Sequence, residues 1–262
     1  MFNTDSNLAQ EIIKQIQNQT SEPFAIFDFD NSCIFNDIAE ATLTYLCRNK
    51  LLKDFTLLGE DTDRNTYHER FIQTYYALYR DKKIKEAYKL NSQMFSGFTP
   101  EEAVVATHAA IQAEGSELGE AELYGVKIAK GLAARPDTIA LMDFLKSKNV
   151  KIWMVSASPE IAVKTAMEHF GIVTDHLIGV KGILKDGMYT SDFEMPMSVI
   201  EGKVECLRKF IDPIRSPFVA VDDSTTGLPI LGTASIKVVV NRGNALTEVA
   251  RTEGEENKWF LI

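Results

Sequence analysis

The chain has 262 residues, of which 45% are hydrophobic and 25% charged, so it can bury a substantial core and has an ordinary globular composition. Its formal net charge of −9 argues against nucleic acid or an anionic membrane surface as the main partner. Its cysteines are too few and too scattered for a disulfide framework or a zinc site, and their odd number favours a reducing compartment: Cys33, Cys47 and Cys206.

The N-terminal stretch MFNTDSNLAQEIIKQIQNQ predicts an amphipathic helix, because Leu8, Ile12, Ile13 and Ile16 fall on one stripe. It has neither the basic region nor the apolar core of a signal peptide. The chain also has no apolar run of about eighteen residues, the length that a membrane span needs. We therefore expect a cytoplasmic protein.

Four short apolar runs predict the strands of a parallel sheet. They are rich in branched and aromatic residues and show no clean alternation, which suits strands buried on both faces. Helical segments separate them, so the pattern predicts an α/β fold with a doubly wound, Rossmann-like sheet. The runs are FAIFDFD (24–30), VKIWMVSAS (150–158), FVAVDDS (218–224) and IKVVVN (236–241).

Three segments between these runs predict helices. Residues 136–149 have Pro136 near the start of the helix, where proline is favoured. Residues 158–171 begin with Ser158, which is more typical of a helix N-cap than of a ligand, and end at Gly171, a candidate C-cap. Residues 201–210 form a third helical segment, just before the third strand.

The region between the first and second strands is too long for one crossover connection. Residues 38–130 have mostly helical patterns, and we expect them to form a second, helical domain inserted into a core made of residues 1–37 and 131–262. A smaller insertion, residues 178–193, predicts a β-hairpin with the Asp186-Gly187 pair at its tip.

Polar side chains follow the predicted strands, where an open α/β sheet binds its ligands. A phosphate ester needs a nucleophile, a proton donor for the leaving oxygen, and positive charge on the other oxygens. Carboxylates, a lysine and Mg²⁺ held by oxygen ligands supply these functions. The residues at these positions are Asp28, Asp30, Ser32, Ser156, Ser158, Asp222, Asp223 and Ser224, with Lys203 on the preceding helix.

These motifs, in this order, resemble those of the haloacid dehalogenase superfamily over nearly the whole chain. DFDNS is similar to its first motif, the run ending at Ser156 to the second, Lys203 in EGKVECL to the third, and VDDSTTGLPIL to the fourth. The fourth departs from the pattern, because Asp222 replaces a glycine and Gly227 stands where many members have a second aspartate. The long helical insertion resembles the phosphoserine phosphatase-like branch, whose cap domain closes over a small phosphorylated metabolite.

The resemblance implies a Mg²⁺-dependent phosphatase that forms an aspartyl-phosphate. Asp28 would be the nucleophile and a metal ligand. Asp30 would be the general acid and base, with its backbone carbonyl also on the metal. Asp223 would complete the metal site, with Asp222 helping.

The resemblance also implies a phosphate-binding group. Ser156, with Ala157 beside it, and Lys203 would bind the phosphoryl oxygens. The oligomeric state is not predicted by any of these motifs.

Two acidic residues at the start of the insertion, Asp37 just before it and Glu40 within it, are candidates for substrate specificity. Asp37 lies where phosphoserine phosphatases have an acidic residue for the substrate amine, and Glu40 where phosphorylcholine phosphatases have a glutamate facing the quaternary ammonium. Both also fit the first turn of a helix, where negative charge is favourable.

The leaving group is therefore an open choice between a choline- or ethanolamine-like cation and serine. An ammonium cage uses aromatic faces, although the helical spacing of Phe71, Tyr75 and Tyr79 favours core packing. A phosphoserine site instead needs an arginine for the carboxylate. The aromatic candidates are Phe71, Tyr75, Tyr76, Tyr79, Phe95 and Phe98, and the arginines are Arg48, Arg64, Arg70 and Arg80.

Two other functional classes are possible. A signalling receiver also places acids and a lysine at strand ends, but its paired acids precede the phosphorylated aspartate, whereas Asp222 and Asp223 come late and the chain is too long. A catalytically weak phosphate-binding protein on the same fold stays open, because Gly227 replaces an acidic residue.

Overall fold

The computed structural model describes residues 2–59 and 63–262. Its helices are α1 Asn7–Ile16, α2 Ile38–Arg48, α3 Tyr67–Arg80, α4 Ile84–Ser92, α5 Pro100–Glu114, α6 Pro136–Ser147, α7 Glu160–Phe170, α8 Glu201–Cys206, α9 Leu228–Leu231 and α10 Ala245–Glu253. Its strands are β1 Phe24–Phe27, β2 Ile34–Phe35, β3 Gly119–Leu123, β4 Val126–Lys130, β5 Ala133–Ala134, β6 Lys151–Pro159, β7 His176–Val180, β8 Gly182–Lys185, β9 Met188–Phe193, β10 Val219–Asp222, β11 Ile236–Val239 and β12 Trp259–Leu261.

The central sheet has six parallel strands in the order β12-β11-β10-β1-β6-β7. All four residues of β1 are buried, as the continuous apolar run predicts for a strand covered on both faces. The α/β, Rossmann-like fold expected from the sequence is thus confirmed. Because β1 pairs with β10 on one side and β6 on the other, the residues that follow these three strands meet at one edge of the sheet.

The inserted residues 38–130 contain the helices α2 to α5 and an antiparallel hairpin, β3–β4. The sequence did not predict this hairpin, because its strands are mostly exposed and charged. Its turn is formed by Tyr124 (φ 51°) and Gly125 (φ 75°), which have the positive φ values of a tight hairpin turn but not its usual Asn-Gly or Asp-Gly sequence. The division of the chain into two domains stays a prediction.

The chain enters and leaves this insertion through paired segments. Strands β2 and β5 form a short antiparallel ladder, and the Arg135 amide donates to the Cys33 carbonyl at 2.8 Å. The ladder brings residue 135 close to the segment that follows β1. Both connections to the insertion therefore run beside the polar residues at the sheet edge.

The second insertion is the predicted hairpin, formed by β8 and β9. Asp186 (φ 52°) and Gly187 (φ 80°) occupy its tip, as expected for a two-residue turn. Its strand β9 also contacts the helical insertion. The Tyr189 amide donates to the Phe98 carbonyl, and the Tyr189 carbonyl accepts from the Gly97 amide, both at 2.8 Å. The hairpin thus links the sheet to the helical region.

The predicted helix ends agree with the structure in two cases and disagree in one. Pro136 opens α6, and Gly171 ends α7 in the left-handed conformation. The interpretation of Ser158 as a helix N-cap is wrong, because β6 continues through Ser158 to Pro159 and α7 begins at Glu160 without a side-chain cap. The predicted helix at 201–210 is α8 followed by a π-helical turn at Leu207–Ile211.

The predicted N-terminal helix is confirmed as α1, with Leu8 and Ile12 buried against the core. Ile13 is 37% exposed and so lies at the margin of the apolar stripe. None of the helices within residues 2–59 and 63–262 combines the length and the apolar character that a membrane crossing requires.

Substituting Gly171 by alanine tests the helix end. Gly171 has φ 65° and ψ 26°, and a Cβ there would meet no atom within 4 Å, so the cost is conformational and not steric. We expect Gly171→Ala to lower the free energy of unfolding by about 1 kcal/mol, measured by urea denaturation.

The matched control is Gly119→Ala, at another open position whose φ lies outside the left-handed region. Its free energy of unfolding should not fall. Equal effects of the two substitutions would show that the left-handed conformation at Gly171 is not what makes glycine favourable there.

Candidate active site

Four carboxylates and a lysine lie together at the edge of the sheet where β1, β6 and β10 end. Asp28 directly follows β1, and Asp30 lies two residues further on. Asp222 is the last residue of β10, and Asp223 follows it. Lys203, on α8, points into the same cluster. All five side chains are buried, so each charge depends on the others and on hydrogen bonds for its stabilisation.

Asp28 is held on both carboxylate oxygens. Lys203 Nζ donates to Oδ1 at 2.7 Å, and Ser32 Oγ donates to Oδ2 at 3.1 Å. Burial, together with the neighbouring Asp222 and Asp223 carboxylates, raises the pKa of Asp28 well above its ordinary value, although Lys203 acts in the opposite direction. The ionised form of Asp28 would therefore gain from further positive charge at this site.

Lys203 bridges two carboxylates. Its ammonium group donates to Asp28 Oδ1 at 2.7 Å and to Asp222 Oδ2 at 2.8 Å. Burial alone would lower the pKa of Lys203, but Asp222 and Asp28 raise it above its ordinary value. The lysine is thus kept charged. Its helix begins after Ile200, a branched residue at φ 53°, which is a strained conformation typical of functional regions.

Asp30 lies beside Asp28 but has different partners. Its Oδ1 accepts from the Ile38 amide at 2.7 Å, at the start of α2, and its Oδ2 accepts from Ser158 Oγ at 2.7 Å and Ser156 Oγ at 3.3 Å. Burial raises the pKa of Asp30 to about 6, although these hydrogen bonds oppose the shift. Asp30 can therefore change protonation state near neutral pH.

The two serines at the end of β6 contribute to this arrangement. Ser158 orients Asp30 instead of capping a helix, and its own amide donates to Ser156 Oγ at 3.1 Å. Ser156 is fully buried between them. Ala157, between the two serines, is only partly buried. The role of Ser156, Ala157 and Lys203 in phosphate binding stays a prediction.

Asp28, Asp222 and Asp223 could together hold a metal ion, because one oxygen of each lies within 4.8 Å of the others. Carboxylate oxygens are the ligands that Mg²⁺ prefers. The carboxylate of Asp30 is not in this group, and its expected contribution through the backbone carbonyl stays a prediction. The charge balance also fits a cation, since the carboxylates outnumber the cations that pair with them here, Lys203 and Arg242.

Asp223 has two partners that the sequence did not indicate. Arg242 Nη1 donates to Asp223 Oδ2 at 2.5 Å, and Asn244 Nδ2 donates to the Asp223 carbonyl at 2.8 Å. Both follow β11, the fourth predicted strand. For the first three strands, the polar residues that directly follow the strand were taken as site candidates. The same expectation for the fourth strand identifies both residues, because that run is followed by the polar stretch NRGN.

The two candidate specificity acids differ in their surroundings. Asp37 is the N-cap of α2, and its carboxylate accepts from the Glu40 amide at 2.9 Å. Glu40 accepts from Tyr75 OH at 2.7 Å and from Tyr76 OH at 3.3 Å. Burial raises the pKa of Glu40, although these hydroxyls and the charge of Arg242 act in the opposite direction. Asp37 thus caps a helix, whereas Glu40 faces aromatic residues.

The two tyrosines that bond to Glu40 belong to a chain of aromatic contacts in the helical insertion. The ring centroids of Tyr75 and Tyr76 are 4.9 Å apart, those of Tyr75 and Tyr79 6.1 Å, and those of Tyr79 and Tyr88 6.3 Å. Burial is the main cause that raises the pKa values of these four tyrosines, and the charge of Asp37 contributes to each. The sequence pattern does not single out Tyr88 among the aromatic residues of the insertion.

The other aromatic candidates pack in the core. Phe95 and Phe98 are buried. The packing interpretation of the helical spacing is confirmed for Phe71 and Tyr75, which are buried, but is wrong for Tyr79, which is 39% exposed. The arginines that the sequence offered for a substrate carboxylate are exposed: Arg48, Arg64, Arg70 and Arg80. Of these, Arg64 stacks on Phe55 and Arg80 pairs with Asp81.

Comparison with known proteins gives one family and a set of similar folds. The family model described as haloacid dehalogenase-like hydrolase matches residues 25–220. No protein of curated function matches the sequence. A conserved protein of unknown function from Anaerococcus prevotii DSM 20548 has a TM-score of 0.69 and 18% identity, over 97% of this chain and 91% of that one.

Two further solved structures are similar in fold. A protein of unknown function from Bordetella pertussis Tohama I has a TM-score of 0.66 and 18% identity, over 93% of this chain and 99% of that one. A substrate-bound phosphoserine phosphatase has a TM-score of 0.57 and 16% identity, over 93% of this chain and 94% of that one.

The raised pKa of Asp30 predicts a pH dependence of stability in metal-free protein. Its folded-state pKa, about 6, exceeds its ordinary value of 3.8, so the folded state holds the proton more tightly. The stabilisation is present below pH 3.8 and is lost as the pH rises through 6. Relative to Asp30→Asn, the wild-type free energy of unfolding should fall by up to about 3 kcal/mol between pH 4 and 8.

The measurement is urea denaturation of both proteins in a chelator at several pH values. The Asn side chain does not titrate, so the difference between the two curves isolates residue 30. A difference that does not vary with pH would mean that Asp30 keeps its ordinary pKa in the fold.

Proposed function

The chain belongs to the haloacid dehalogenase-like hydrolases, and from this premise we propose that it is a Mg²⁺-dependent phosphatase acting through an aspartyl-phosphate. Its substrates are small phosphomonoesters whose leaving group carries an amine or a quaternary ammonium, such as phosphocholine and phosphoethanolamine. The observation that carries the proposal is the pair Asp28 and Asp30, adjacent at one strand end but held by different partners. The free, buried cysteines support a reducing cytoplasm as its location.

Asp28 is the proposed nucleophile. Its carboxylate attacks phosphorus, the bond to the leaving oxygen breaks, and an aspartyl-phosphate forms. Lys203 Nζ lies 2.7 Å from Asp28 Oδ1, which supports a role for it in stabilising the charge that develops on the phosphoryl oxygens. Ser32, which donates to the other oxygen of Asp28, restricts the rotation of the carboxylate.

Asp28 and Asp223, with the backbone carbonyl of Asp30, would hold Mg²⁺, which would supply positive charge that shields the nucleophile from the phosphate. The cluster of carboxylates supports this assignment, since the neighbouring acids raise the pKa of Asp28 and the ionised, nucleophilic form would be favoured by a bound cation.

Asp30 is the proposed general acid and base. With a pKa of about 6, it is protonated in part of the population near neutral pH and can give its proton to the leaving oxygen. The resulting carboxylate can then take a proton from the water that hydrolyses the aspartyl-phosphate. The Ile38 amide and the Ser158 hydroxyl stabilise the carboxylate in the second step.

Glu40 and its tyrosines support a cationic leaving group. Glu40 is partly buried and accepts hydrogen bonds from the Tyr75 and Tyr76 hydroxyls, so it offers negative charge close to aromatic residues, and an ammonium ligand is attracted by both. Tyr79 and Tyr88 extend the aromatic surface. We propose that residues 38–130 form a cap that encloses the leaving group and excludes water.

Phosphoserine is the second candidate substrate, and Arg242 is the observation that favours it. Its guanidinium bonds to Asp223 and is partly exposed, with 36% of the side chain accessible, so it could pair with a substrate carboxylate. Against this candidate, Asp37 already accepts from a helix amide, and the arginines of the insertion are exposed. We therefore rank phosphoserine below the choline- and ethanolamine-type esters.

Substitution of Asp28 tests the chemistry. Asp28→Asn removes the nucleophile while keeping a similar shape, and we expect kcat for an aryl phosphate to fall by about 10³-fold or more in saturating Mg²⁺. The measurement is phosphate release, with a circular dichroism spectrum to confirm folding.

The control is Asp192→Asn, an exposed aspartate on β9, which should keep full activity. Full activity of Asp28→Asn would rule out the nucleophile. If the wild-type protein binds phosphate esters but hydrolyses none of them with Mg²⁺, the chain is a phosphate-binding protein on this fold.

A substrate panel tests the leaving group. Phosphocholine, phosphoethanolamine and phosphoserine are compared with a neutral aryl phosphate in wild type and in Glu40→Gln. We expect Glu40→Gln to raise KM for the choline and ethanolamine esters by about 10-fold, because the ammonium loses its counter-charge, and to leave the aryl phosphate unchanged.

Tyr124→Phe is the matched control, since it removes a tyrosine hydroxyl of the same insertion that bonds to the Cys47 carbonyl instead of Glu40. Its KM values should equal those of the wild type. A preference of the wild type for phosphoserine would favour the second candidate. If Glu40→Gln raised KM equally for all four esters, Glu40 would stabilise the fold of the insertion instead of binding the leaving group.

A further inference from the structure

Gly227 lies directly against the carboxylate of Asp222 at the end of β10. A Cβ on Gly227 would lie 2.0 Å from Cγ of Asp222, 2.1 Å from its Oδ2 and 2.3 Å from its Oδ1. These distances are far below any real contact. The φ of Gly227 is −85°, which other residues adopt freely. Glycine is therefore required at position 227 because a larger side chain would collide with the Asp222 carboxylate. The backbone conformation at this position does not itself require glycine.

Protein donors occupy both oxygens of Asp222. Its Oδ1 accepts from the Asp223 amide at 2.9 Å and from the Ser224 amide at 3.2 Å, and its Oδ2 accepts from Lys203 Nζ at 2.8 Å. The residue is 1% exposed. The two amides fix the direction of the carboxylate, and that direction is towards the lysine.

We propose that Asp222 is a positioning residue for Lys203 and not a metal ligand, and that Gly227 is glycine because it leaves room for that carboxylate. This inference rests on the proposed phosphatase and assigns Asp222 a role in it. Lys203 has to stay beside Asp28 while the charge on Asp28 is consumed by bond formation to phosphorus. A second, permanent carboxylate keeps the ammonium in place during that step.

The first test measures the steric coupling through stability alone. Gly227→Ala is made in the wild type and in Asp222→Gly, and the thermal midpoints are compared without substrate. In the wild type the methyl group collides with the carboxylate, and we expect a drop of about 4–10 °C. In the Asp222→Gly background the space is free, so the same substitution should cost almost nothing.

The second test measures catalysis on an aryl phosphate. Asp222→Asn keeps the acceptor for the two amides but loses the charge facing Lys203. We expect kcat to fall by about 10²-fold at saturating Mg²⁺, with the half-saturating Mg²⁺ concentration unchanged. A metal ligand would give a different result, because its loss raises the half-saturating Mg²⁺ concentration.

The double variant Asp222→Gly/Gly227→Asp exchanges the two residues. Its new carboxylate, attached at residue 227, is expected to fill the space that the Asp222 carboxylate occupies in the wild type. We expect its kcat to exceed that of Asp222→Gly by about 10-fold, because Lys203 regains a partner. Gly119→Ala, at an open surface position, is the control for glycine substitution as such.

Two results would overturn the inference: equal costs of Gly227→Ala in both backgrounds, or a rise in the half-saturating Mg²⁺ concentration for Asp222→Asn at unchanged kcat. The stability comparison needs no turnover. It therefore separates failure of the Asp222–Gly227 relation from failure of the phosphatase proposal, which would appear as absence of phosphate release from the wild type.

Discussion

The structure depends on how a buried group of like charges is kept together at the end of three parallel strands. Asp28, Asp30, Asp222 and Asp223 would repel one another in an apolar interior, and burial raises the pKa of Asp28 and of Asp223, which favours the neutral forms of these two. Lys203 opposes this by bonding to two of them at once. The remaining negative charge makes the cluster suited to a cation and to a reaction that consumes carboxylate charge.

The sheet determines which charges meet, and the local partners determine what each one does. Asp28 and Asp30 are two residues apart and equally buried, yet Asp28 bonds to an ammonium group whereas Asp30 bonds to an amide and two hydroxyls. The first environment pairs the carboxyl group with a positive charge. The second leaves the carboxyl group able to exchange a proton near neutral pH. One strand end thereby provides two carboxyl groups with separate chemical properties.

Strand periodicity and strand ends made part of the fold and of the site predictable. The apolar runs predicted the sheet, and the polar residues after them predicted Asp28, Asp30 and Asp223 at one edge, because parallel strands bring such residues together whatever the loops do. Partners set by side-chain direction were not predictable in this way. Ser158 has the sequence context of a helix cap, but β6 continues through it to Pro159 and its hydroxyl bonds to Asp30.

Tyr88 was missed for a related reason, since its position on α4 depends on tertiary packing. Arg242 differs, because it follows β11 and its place beside Asp223 was predictable from the end of that strand. Periodicity on α3 predicted packing for Phe71, Tyr75 and Tyr79, which is correct for the first two and wrong for Tyr79. It could not predict that the Tyr75 hydroxyl meets Glu40 on α2. The ring of Tyr75 thus packs in the core while its hydroxyl donates to a polar group.

The sheet edge and the insertion have different roles in the proposed reaction. In the proposed function, the residues that act on phosphate come from the sheet edge, where β1 pairs with both β10 and β6. The residues proposed to face the leaving group are Glu40 on α2 and tyrosines of α3 and α4, which contact one another or Glu40. On this proposal, changes in the insertion would alter which ester is accepted without moving Asp28 or Lys203. Helix α2 connects the two groups of residues, because it carries Glu40 and begins with the Ile38 amide that donates to Asp30.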